Sequence, residues 1–307
     1  MSSIKVIAAS FLLNKTLVGE LRLAFPQTEF YEGPSGDMEA IKRFSSDAEI
    51  LLVGREKMDA DFLTHCPRLK LLVKYGVGID NIDTDLLEKK GIALGWTGGV
   101  NKRSVAEMTV GYLLLAAHNV FLCGNKLKNG EWYKNGGFCL ENKKLGIIGF
   151  GHIGSEVARL LKGFGVQILA NDILDKSREA EALHVCLATK EEIYEKCDFI
   201  SLHLPYTKET KQFFAKEIIE KCKPGLILIN CARGELVEQN HILKALNSGR
   251  MGGYYADAFD PEPYLESELI QHERFFGSPH IGGNSQEAVL NMGRSAIEHI
   301  RNYFMKL

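Results

Sequence analysis

Three glycines in the middle of the chain have the spacing of a turn that binds a diphosphate. Gly149-Phe150-Gly151-His152-Ile153-Gly154 follows the strand-like residues 145–148 and precedes a segment, 156–161, that is compatible with a helix. In such a turn the first glycine allows the tight bend, the second admits the pyrophosphate and the third lets helix and strand pack closely. The helix start offers N–H groups and partial positive charge to an anion. The motif therefore predicts a dinucleotide site.

An acidic residue follows the glycine motif at the distance expected of a ribose ligand. Asp172 ends the strand-like segment 167–171, eighteen residues after Gly154. Its carboxylate is predicted to accept hydrogen bonds from the adenosine ribose and to repel a 2′-phosphate, which favours NAD over NADP. Lys176 and Arg178 lie close enough in sequence to weaken that preference. The alternative is that Asp172 only braces a turn at the end of a strand.

Three later segments carry groups suited to chemistry on an oxo acid. Arg233 follows the apolar residues 226–229, Glu262 lies between two prolines, and His280 stands in Ser-Pro-His-Ile-Gly-Gly. Arginine can donate two parallel hydrogen bonds to a carboxylate, and histidine exchanges a proton near neutral pH. Chain order alone does not bring the three side chains together.

Short apolar runs alternate with amphipathic segments along the whole chain, which predicts two successive α/β sheets. A long helix is expected from about 102 to 119, and a final helix from 285 to 304. Six strands in the second block match the dinucleotide-binding sheet. The strands are predicted at 4–8, 29–31, 50–53, 71–74 and 92–94, then at 144–148, 167–171, 199–202, 226–230, 252–256 and 274–277.

Composition excludes several classes of protein. The 307 residues are 45% hydrophobic and 25% charged, proportions that suit two globular domains. With 37 basic and 39 acidic residues the net charge is −2, so neither a nucleic-acid nor a membrane partner is expected. Seven cysteines without a C-x-x-C pair predict reduced thiols, a cytoplasmic location and no metal site.

The late motifs taken together resemble those of the NAD-dependent D-isomer-specific 2-hydroxyacid dehydrogenases. They are N-x-A-R-G at 230–234, D-x-x-x-x-E-P at 257–263 and P-H-I-G-G at 279–283, in family order. Residues 74–83 and 104–107 extend the similarity over nearly the whole chain, which is most similar to the phosphoglycerate-dehydrogenase-like branch. The resemblance implies a flavodoxin-like substrate domain (1–98 with 285–307), a Rossmann NAD-binding domain (99–284) and a cleft between them.

The resemblance also implies roles for individual residues. His280 becomes the acid/base, Glu262 its orienting partner, and Arg233 the ligand of the substrate's carboxylate and carbonyl. Cys231, where many relatives carry serine or threonine, is expected to be a small buried side chain rather than a redox group. The residues expected to contact NAD are Ser104, Gly149, Gly151, His152, Ile153, Gly154, Asp172, His203, Leu204, Pro205, Thr210, Cys231, Ala232, Arg233, Asp257, His280 and Gly282.

The substrate is less closely defined by the sequence. Backbone N–H groups of the loop Tyr75-Gly76-Val77-Gly78 are expected to hold its carboxylate, together with Arg233 and His280. Lys74 and Arg55 are expected to hold a second anionic group, which favours 3-phosphoglycerate, unless both are solvated charges at strand ends. Hydroxypyruvate, glyoxylate or another 2-oxo acid is the alternative substrate.

Three further expectations concern function, regulation and assembly. The alternative to an enzyme is an NAD(H)-sensing binding protein, like the corepressor members of the family. The chain ends 27 residues after His280, so the regulatory domain of longer relatives is expected to be absent. A homodimer is expected through the helix at 102–119 and the segment that follows it to Leu140.

Overall fold

Parallel strands alternate with helices along the chain, as the apolar runs predict. The computed structural model describes residues 2–306. The chain forms two compact units, which are Met1–Asn101 with Gln286–Leu307 (unit 1) and Lys102–Ser285 (unit 2).

Unit 1 contains a five-stranded parallel sheet. Its order is β2-β1-β3-β4-β5, the flavodoxin-like arrangement. Alternate residues of the buried strands face opposite sides, so Ile50 and Leu52 join one apolar cluster while Leu51 and Val53 join another. Its strands are β1 (Ile4–Val6), β2 (Glu29–Phe30), β3 (Ile50–Val53), β4 (Leu71–Lys74) and β5 (Ala93–Gly95), and its first helices are α1 (Ala9–Leu12), α2 (Lys15–Ala24), α3 (Met38–Ser45), α4 (Ala60–Thr64) and α5 (Thr84–Lys90).

Unit 2 contains a seven-stranded parallel sheet of order β12-β11-β10-β9-β6-β7-β8, which is the Rossmann order with one further strand, β12. Its strands are β6 (Lys144–Ile148), β7 (Gln167–Asn171), β8 (Cys186–Leu187), β9 (Phe199–Leu202), β10 (Leu226–Asn230), β11 (Met251–Ala256) and β12 (Phe275–Gly277). Its helices are α6 (Lys102–Ala117), α7 (Val120–Lys128), α8 (His152–Leu160), α9 (Ser177–Leu183), α10 (Lys190–Lys196), α11 (Lys216–Lys221), α12 (Gln239–Asn247) and α13 (Glu268–Gln271), and short 3₁₀ turns lie at Leu161–Gly163 and Gly234–Leu236.

The last helix, α14 (Gln286–Met305), returns to unit 1. Its residues Ala296, Ile297 and Ile300 are buried in the cluster that also contains Leu17 of α2 and Val73 of β4. The C-terminal segment therefore completes the core of the unit that the N-terminal residues begin.

Besides shifts of one or two residues at the ends of elements, the structure differs from the predicted elements in two places. Strand β8 is missing from the predicted elements, because it has only two residues, both exposed, in the short apolar run 185–188. The predicted helix 102–119 ends at Ala117, and Asn119 adopts a left-handed φ of 51° before α7 begins. Asparagine tolerates that conformation better than most residues.

The structure also bears on membrane crossing. Within residues 2–306, no single helix combines the length and apolar character needed to cross a bilayer, and the pair α6–α7 meets those criteria only when joined across its 66° bend.

Candidate active site

The glycine turn between β6 and α8 is built by close backbone approach. Gly149 has a φ of +95°, and a Cβ there would lie 2.5 Å from the carbonyl oxygen of His203. A Cβ on Gly154 would lie 2.2 Å from the carbonyl oxygen of Gly149. A Cβ on Gly151, the residue before α8, would meet no atom within 4 Å, so space is open above the helix start. These features fit a bound diphosphate.

Asp172 ties the end of β7 to this turn. Its Oδ2 accepts a hydrogen bond from the Phe150 N–H at 2.7 Å, and its Oδ1 accepts one from the Leu174 N–H at 2.9 Å. The contacts show a carboxylate that braces two turns. Its contact with the ribose remains a prediction.

His203 follows β9, and one of its buried ring nitrogens is available for a hydrogen bond with a ligand. Its Nε2 lies 2.9 Å from the Ser201 hydroxyl, while Nδ1 is buried with no hydrogen-bond partner among the described residues. A buried polar atom of this kind fits a site that a ligand completes. In the adjoining loop of His203, Leu204 and Pro205, the Thr210 hydroxyl donates to the Pro205 carbonyl at 2.7 Å.

The enclosure of His203 predicts a pH dependence of stability. Burial lowers the pKa of His203 from 6.5 to about 4. Between those values the unfolded chain binds a proton that the folded chain does not, so the unfolding free energy of the protein without ligand should rise with pH across this window. The expected rise is on the order of 3 kcal/mol.

Urea unfolding of wild type and His203→Gln across that window measures this contribution. The slope should be smaller in His203→Gln, whereas His65→Gln, at an exposed position, should keep the wild-type slope. Equal slopes in wild type and His203→Gln would show that His203 is not held neutral by the fold.

The predicted pair of histidine and carboxylate is present in unit 2. His280 Nδ1 lies 2.8 Å from Glu262 Oε1 and 3.0 Å from Oε2, and both side chains are partly exposed, at 31% and 26%. The Phe259 N–H donates to Glu262 Oε1 at 3.2 Å, which holds the carboxylate in place. A carboxylate at Nδ1 fixes the tautomer and leaves Nε2 as the nitrogen that exchanges a proton.

Arg233 stands in a turn that Asn230 organises at the end of β10. The Asn230 side chain donates to the Arg233 carbonyl at 2.8 Å and accepts from the Ala232 N–H at 3.1 Å. The Arg233 guanidinium donates to the Ala232 carbonyl at 2.8 Å. Burial raises the pKa of the Cys231 thiol to about 12, so the thiol stays protonated near neutral pH.

Three residues predicted to contact NAD, Asp257, Gly282 and Ser104, are joined by hydrogen bonds around the histidine loop. Asp257, only 2% exposed, accepts the Ile281 N–H on Oδ1 at 2.8 Å and the Gly282 N–H on Oδ2 at 2.7 Å. The Ser104 hydroxyl donates to the Gly282 carbonyl at 2.5 Å. Asp257, Gly282 and Ser104 thus shape the loop that carries His280, and their contacts with NAD remain predictions.

In unit 1, Lys74 is part of a hydrogen-bonded network at the ends of β3 and β4. Its ammonium donates to the Gly54 carbonyl and, at 2.8 Å, to Asn81 Oδ1, and the residue is only 7% exposed. Asn81 in turn donates to the Glu56 carbonyl at 2.5 Å. Burial raises the pKa of the Glu56 carboxyl. Arg55, which lies between Gly54 and Glu56 in the chain, is exposed.

The loop 75–78 has a support that sequence reasoning missed. The indole N–H of Trp96 donates to the Val77 carbonyl at 2.8 Å. Gly76 has a φ of +118°, and Tyr75 packs edge-on against Phe11 with ring centroids 5.3 Å apart. No local pattern marks Trp96, because its partner lies 19 residues earlier in the chain.

The described residues contain no group of side chains suited to bind a metal ion. Across the described part of the chain, no three His, Cys, Asp or Glu side chains converge in a way that could hold a metal ion.

Comparison with known proteins shows which family the chain resembles. Residues 110–282 match the family model described as D-isomer specific 2-hydroxyacid dehydrogenase, NAD binding domain. The chain is 34% identical over 276 residues to glyoxylate reductase of Thermococcus litoralis, covering 86% of this chain and 83% of that protein. It is also 34% identical over 259 residues to D-3-phosphoglycerate dehydrogenase of Methanocaldococcus jannaschii, covering 83% of this chain and 49% of that protein.

The fold is shared with solved structures over almost the full chain. D-lactate dehydrogenase of Aquifex aeolicus, solved with NAD and lactic acid, superposes with a TM-score of 0.86 at 25% identity, covering 99% of this chain and 96% of that one. The predicted class of two parallel-sheet domains is confirmed. The chain therefore belongs to the D-isomer-specific 2-hydroxyacid dehydrogenases, NAD-dependent oxidoreductases whose NAD-binding domain lies here in residues 110–282.

Proposed function

We propose that this dehydrogenase reduces hydroxypyruvate to its D-2-hydroxy acid or glyoxylate to its achiral 2-hydroxy acid, and that 3-phosphohydroxypyruvate is its second candidate substrate. The pairing of His280 Nδ1 with Glu262 carries the catalytic part of the proposal. Unit 1 is proposed as the substrate domain and unit 2 as the NAD-binding domain.

The proposed mechanism assigns one task to each side chain. NADH, when bound, supplies a hydride to C2 of the 2-oxo acid. His280 gives the proton on Nε2 to the C2 oxygen, and Glu262 stabilises the imidazolium from the other side of the ring. Arg233 holds the carboxylate through paired hydrogen bonds. In the oxidation direction His280 removes the proton from the hydroxyl.

The choice among substrates rests on how Lys74 is used. Two donors of its ammonium are directed to Gly54 and Asn81, so the side chain braces the turn at 54–56. Recognition of a phosphate then depends on Arg55, an exposed cation at the end of β3. A small 2-oxo acid needs no such second cation.

A screen of NADH oxidation tests the proposal. The 2-oxo acids are hydroxypyruvate, glyoxylate, 3-phosphohydroxypyruvate, pyruvate and branched acids, and the largest kcat/KM is expected with one of the first two. If the phosphorylated acid is preferred instead, Arg55→Ala should lower its kcat/KM without affecting hydroxypyruvate. Firm NADH binding without turnover of any acid would favour the NAD(H)-sensing alternative.

The contact between Trp96 and Val77 gives a prediction on substrate affinity. The peptide between Val77 and Gly78 is planar, so an indole that binds its carbonyl also orients the Gly78 N–H on the opposite side. Trp96→Phe removes that hydrogen bond and should raise KM for the preferred 2-oxo acid by about tenfold, with kcat changed by less than about twofold. Steady-state kinetics measure both constants. Equal KM values in wild type and Trp96→Phe would contradict the assigned role.

A homodimer through α6 and the segment up to Leu140 is also proposed. Helix α7 has no buried residue, and residues 131–139 are all exposed, with Trp132 at 79%. Apolar surface of this kind is typical of an interface between chains. Light scattering of the purified protein measures whether its mass corresponds to one chain or two.

A cytoplasmic location is also proposed, and the seven free cysteines support it.

A further inference from the structure

One face of helix α6 supports the loop that carries His280. Ser104, Met108 and Tyr112 follow at four-residue spacing and therefore share a face of the helix. The Ser104 hydroxyl binds the Gly282 carbonyl at 2.5 Å, and the Tyr112 hydroxyl lies 2.5 Å from Ser278 Oγ. Met108 Sδ lies 3.9 Å from the same Ser278 oxygen. The loop is thus attached to α6 on both sides of the histidine.

The hydroxyls of Tyr112 and Ser278 form a directed chain of hydrogen bonds to Asp257. Ser278 Oγ donates to Asp257 Oδ1, and a serine hydroxyl has only one hydrogen to give. Tyr112 must therefore donate to Ser278. Asp257 accepts the Ile281 and Gly282 N–H groups as well, so one buried carboxylate joins residues before and after His280.

His280 itself needs such support. Its φ is +55°, in the left-handed region that residues other than glycine seldom adopt. A residue in that region is held there by the contacts around it. Here those contacts come from Ser278, two residues earlier, and from Ile281 and Gly282, directly after it.

We infer that Tyr112 and Ser278 are positioning residues for proton transfer, because their hydroxyls hold Asp257 and, through it, the backbone that aims His280. The inference rests on the proposed role of His280 as the acid/base. Neither hydroxyl touches the reacting atoms. Their effect is on the orientation of the histidine and hence on kcat.

The structure supplies variants that remove a hydroxyl and little else. Tyr112 is 4% exposed, and its ring packs against Phe276 and Tyr255 with centroids 5.4 and 6.2 Å away, contacts that phenylalanine can keep. Ser278→Ala removes the second hydroxyl, and Ser278→Thr retains it. Tyr255→Phe is the matched control, because this neighbouring buried tyrosine is outside the chain of hydrogen bonds.

The experiment measures kcat and KM with the preferred 2-oxo acid, and backbone hydrogen exchange of residues 278–284. Tyr112→Phe and Ser278→Ala should each lower kcat about tenfold, with KM changed by less than about twofold, the loss expected for one hydrogen bond that orients the histidine. Exchange in 278–284 should be faster in both variants. Ser278→Thr should restore kcat, and Tyr255→Phe should match wild type.

Wild-type kcat and wild-type exchange in Tyr112→Phe would overturn the inference, as would an equal loss of kcat in Tyr255→Phe. Failure of the proposed function is distinguishable, because it appears as a wild-type protein that reduces none of the 2-oxo acids. The exchange measurement requires no turnover. Unchanged hydrogen exchange in both Tyr112→Phe and Ser278→Ala would still refute the claim that these hydroxyls hold the loop 278–284 in place.

Discussion

Replacing His280 by alanine is expected to lower kcat by about 10²–10⁴-fold, the usual contribution of a positioned acid/base. The imidazole is the group that can exchange a proton while Glu262 holds its other nitrogen at 2.8 Å. The affinity for NADH should change little, because the glycine turn and Asp172 are untouched. Stopped-flow reduction of the preferred 2-oxo acid and fluorescence titration of NADH measure the two quantities.

Two further variants sharpen this test. His65→Ala removes an exposed histidine of unit 1 and should leave kcat unchanged. Glu262→Gln should lower kcat less than His280→Ala does. The double variant should have the same kcat as His280→Ala alone, because Glu262 acts through the imidazole. A His280→Ala enzyme with wild-type kcat would remove the acid/base assignment, and additive losses would show that Glu262 acts independently.

The elements that position these residues could be read from apolar runs. Strands β3 and β10 are buried at every residue, and apart from Asn230 at the end of β10 their sequences are continuous apolar segments. The glycine turn follows β6, and the motifs around Arg233, Glu262 and His280 follow β10, β11 and β12. In a parallel sheet these carboxyl ends lie along one edge, which is why local patterns located so much of the site.

The contacts that orient the site could not be read in the same way. Tyr112 and Ser278 are 166 residues apart, and a tyrosine on the buried face of a helix looks like ordinary core. Lys74 shows the converse case, because a lysine at a strand end suggests a ligand for an anion, whereas packing directs its ammonium to Gly54 and Asn81. Such partners are chosen by tertiary packing, which a single sequence does not display.

The glycine turn gives the second large effect, and two of its positions should separate folding from cofactor binding. At Gly154 a methyl group would lie 2.2 Å from the Gly149 carbonyl oxygen and 2.9 Å from the Ile147 side chain, so the backbone must move. Gly154→Ala should therefore lower the unfolding free energy of the protein without ligand by about 2–4 kcal/mol and also abolish measurable NADH binding. Urea unfolding and NADH titration are the two measurements.

At Gly151 the same methyl group meets no protein atom within 4 Å, and the residue's φ of −84° suits alanine. Gly151→Ala should therefore unfold at the same urea concentration as wild type. It should bind NADH at least about tenfold more weakly, because its methyl group occupies the space through which the backbone approaches the pyrophosphate. Gly163→Ala, a position in the same unit that is equally open, should change neither quantity. If Gly151→Ala binds NADH as wild type does, the diphosphate does not pass over this turn. If Gly154→Ala loses NADH binding without losing stability, the third glycine serves the ligand directly rather than the packing of α8 on β6.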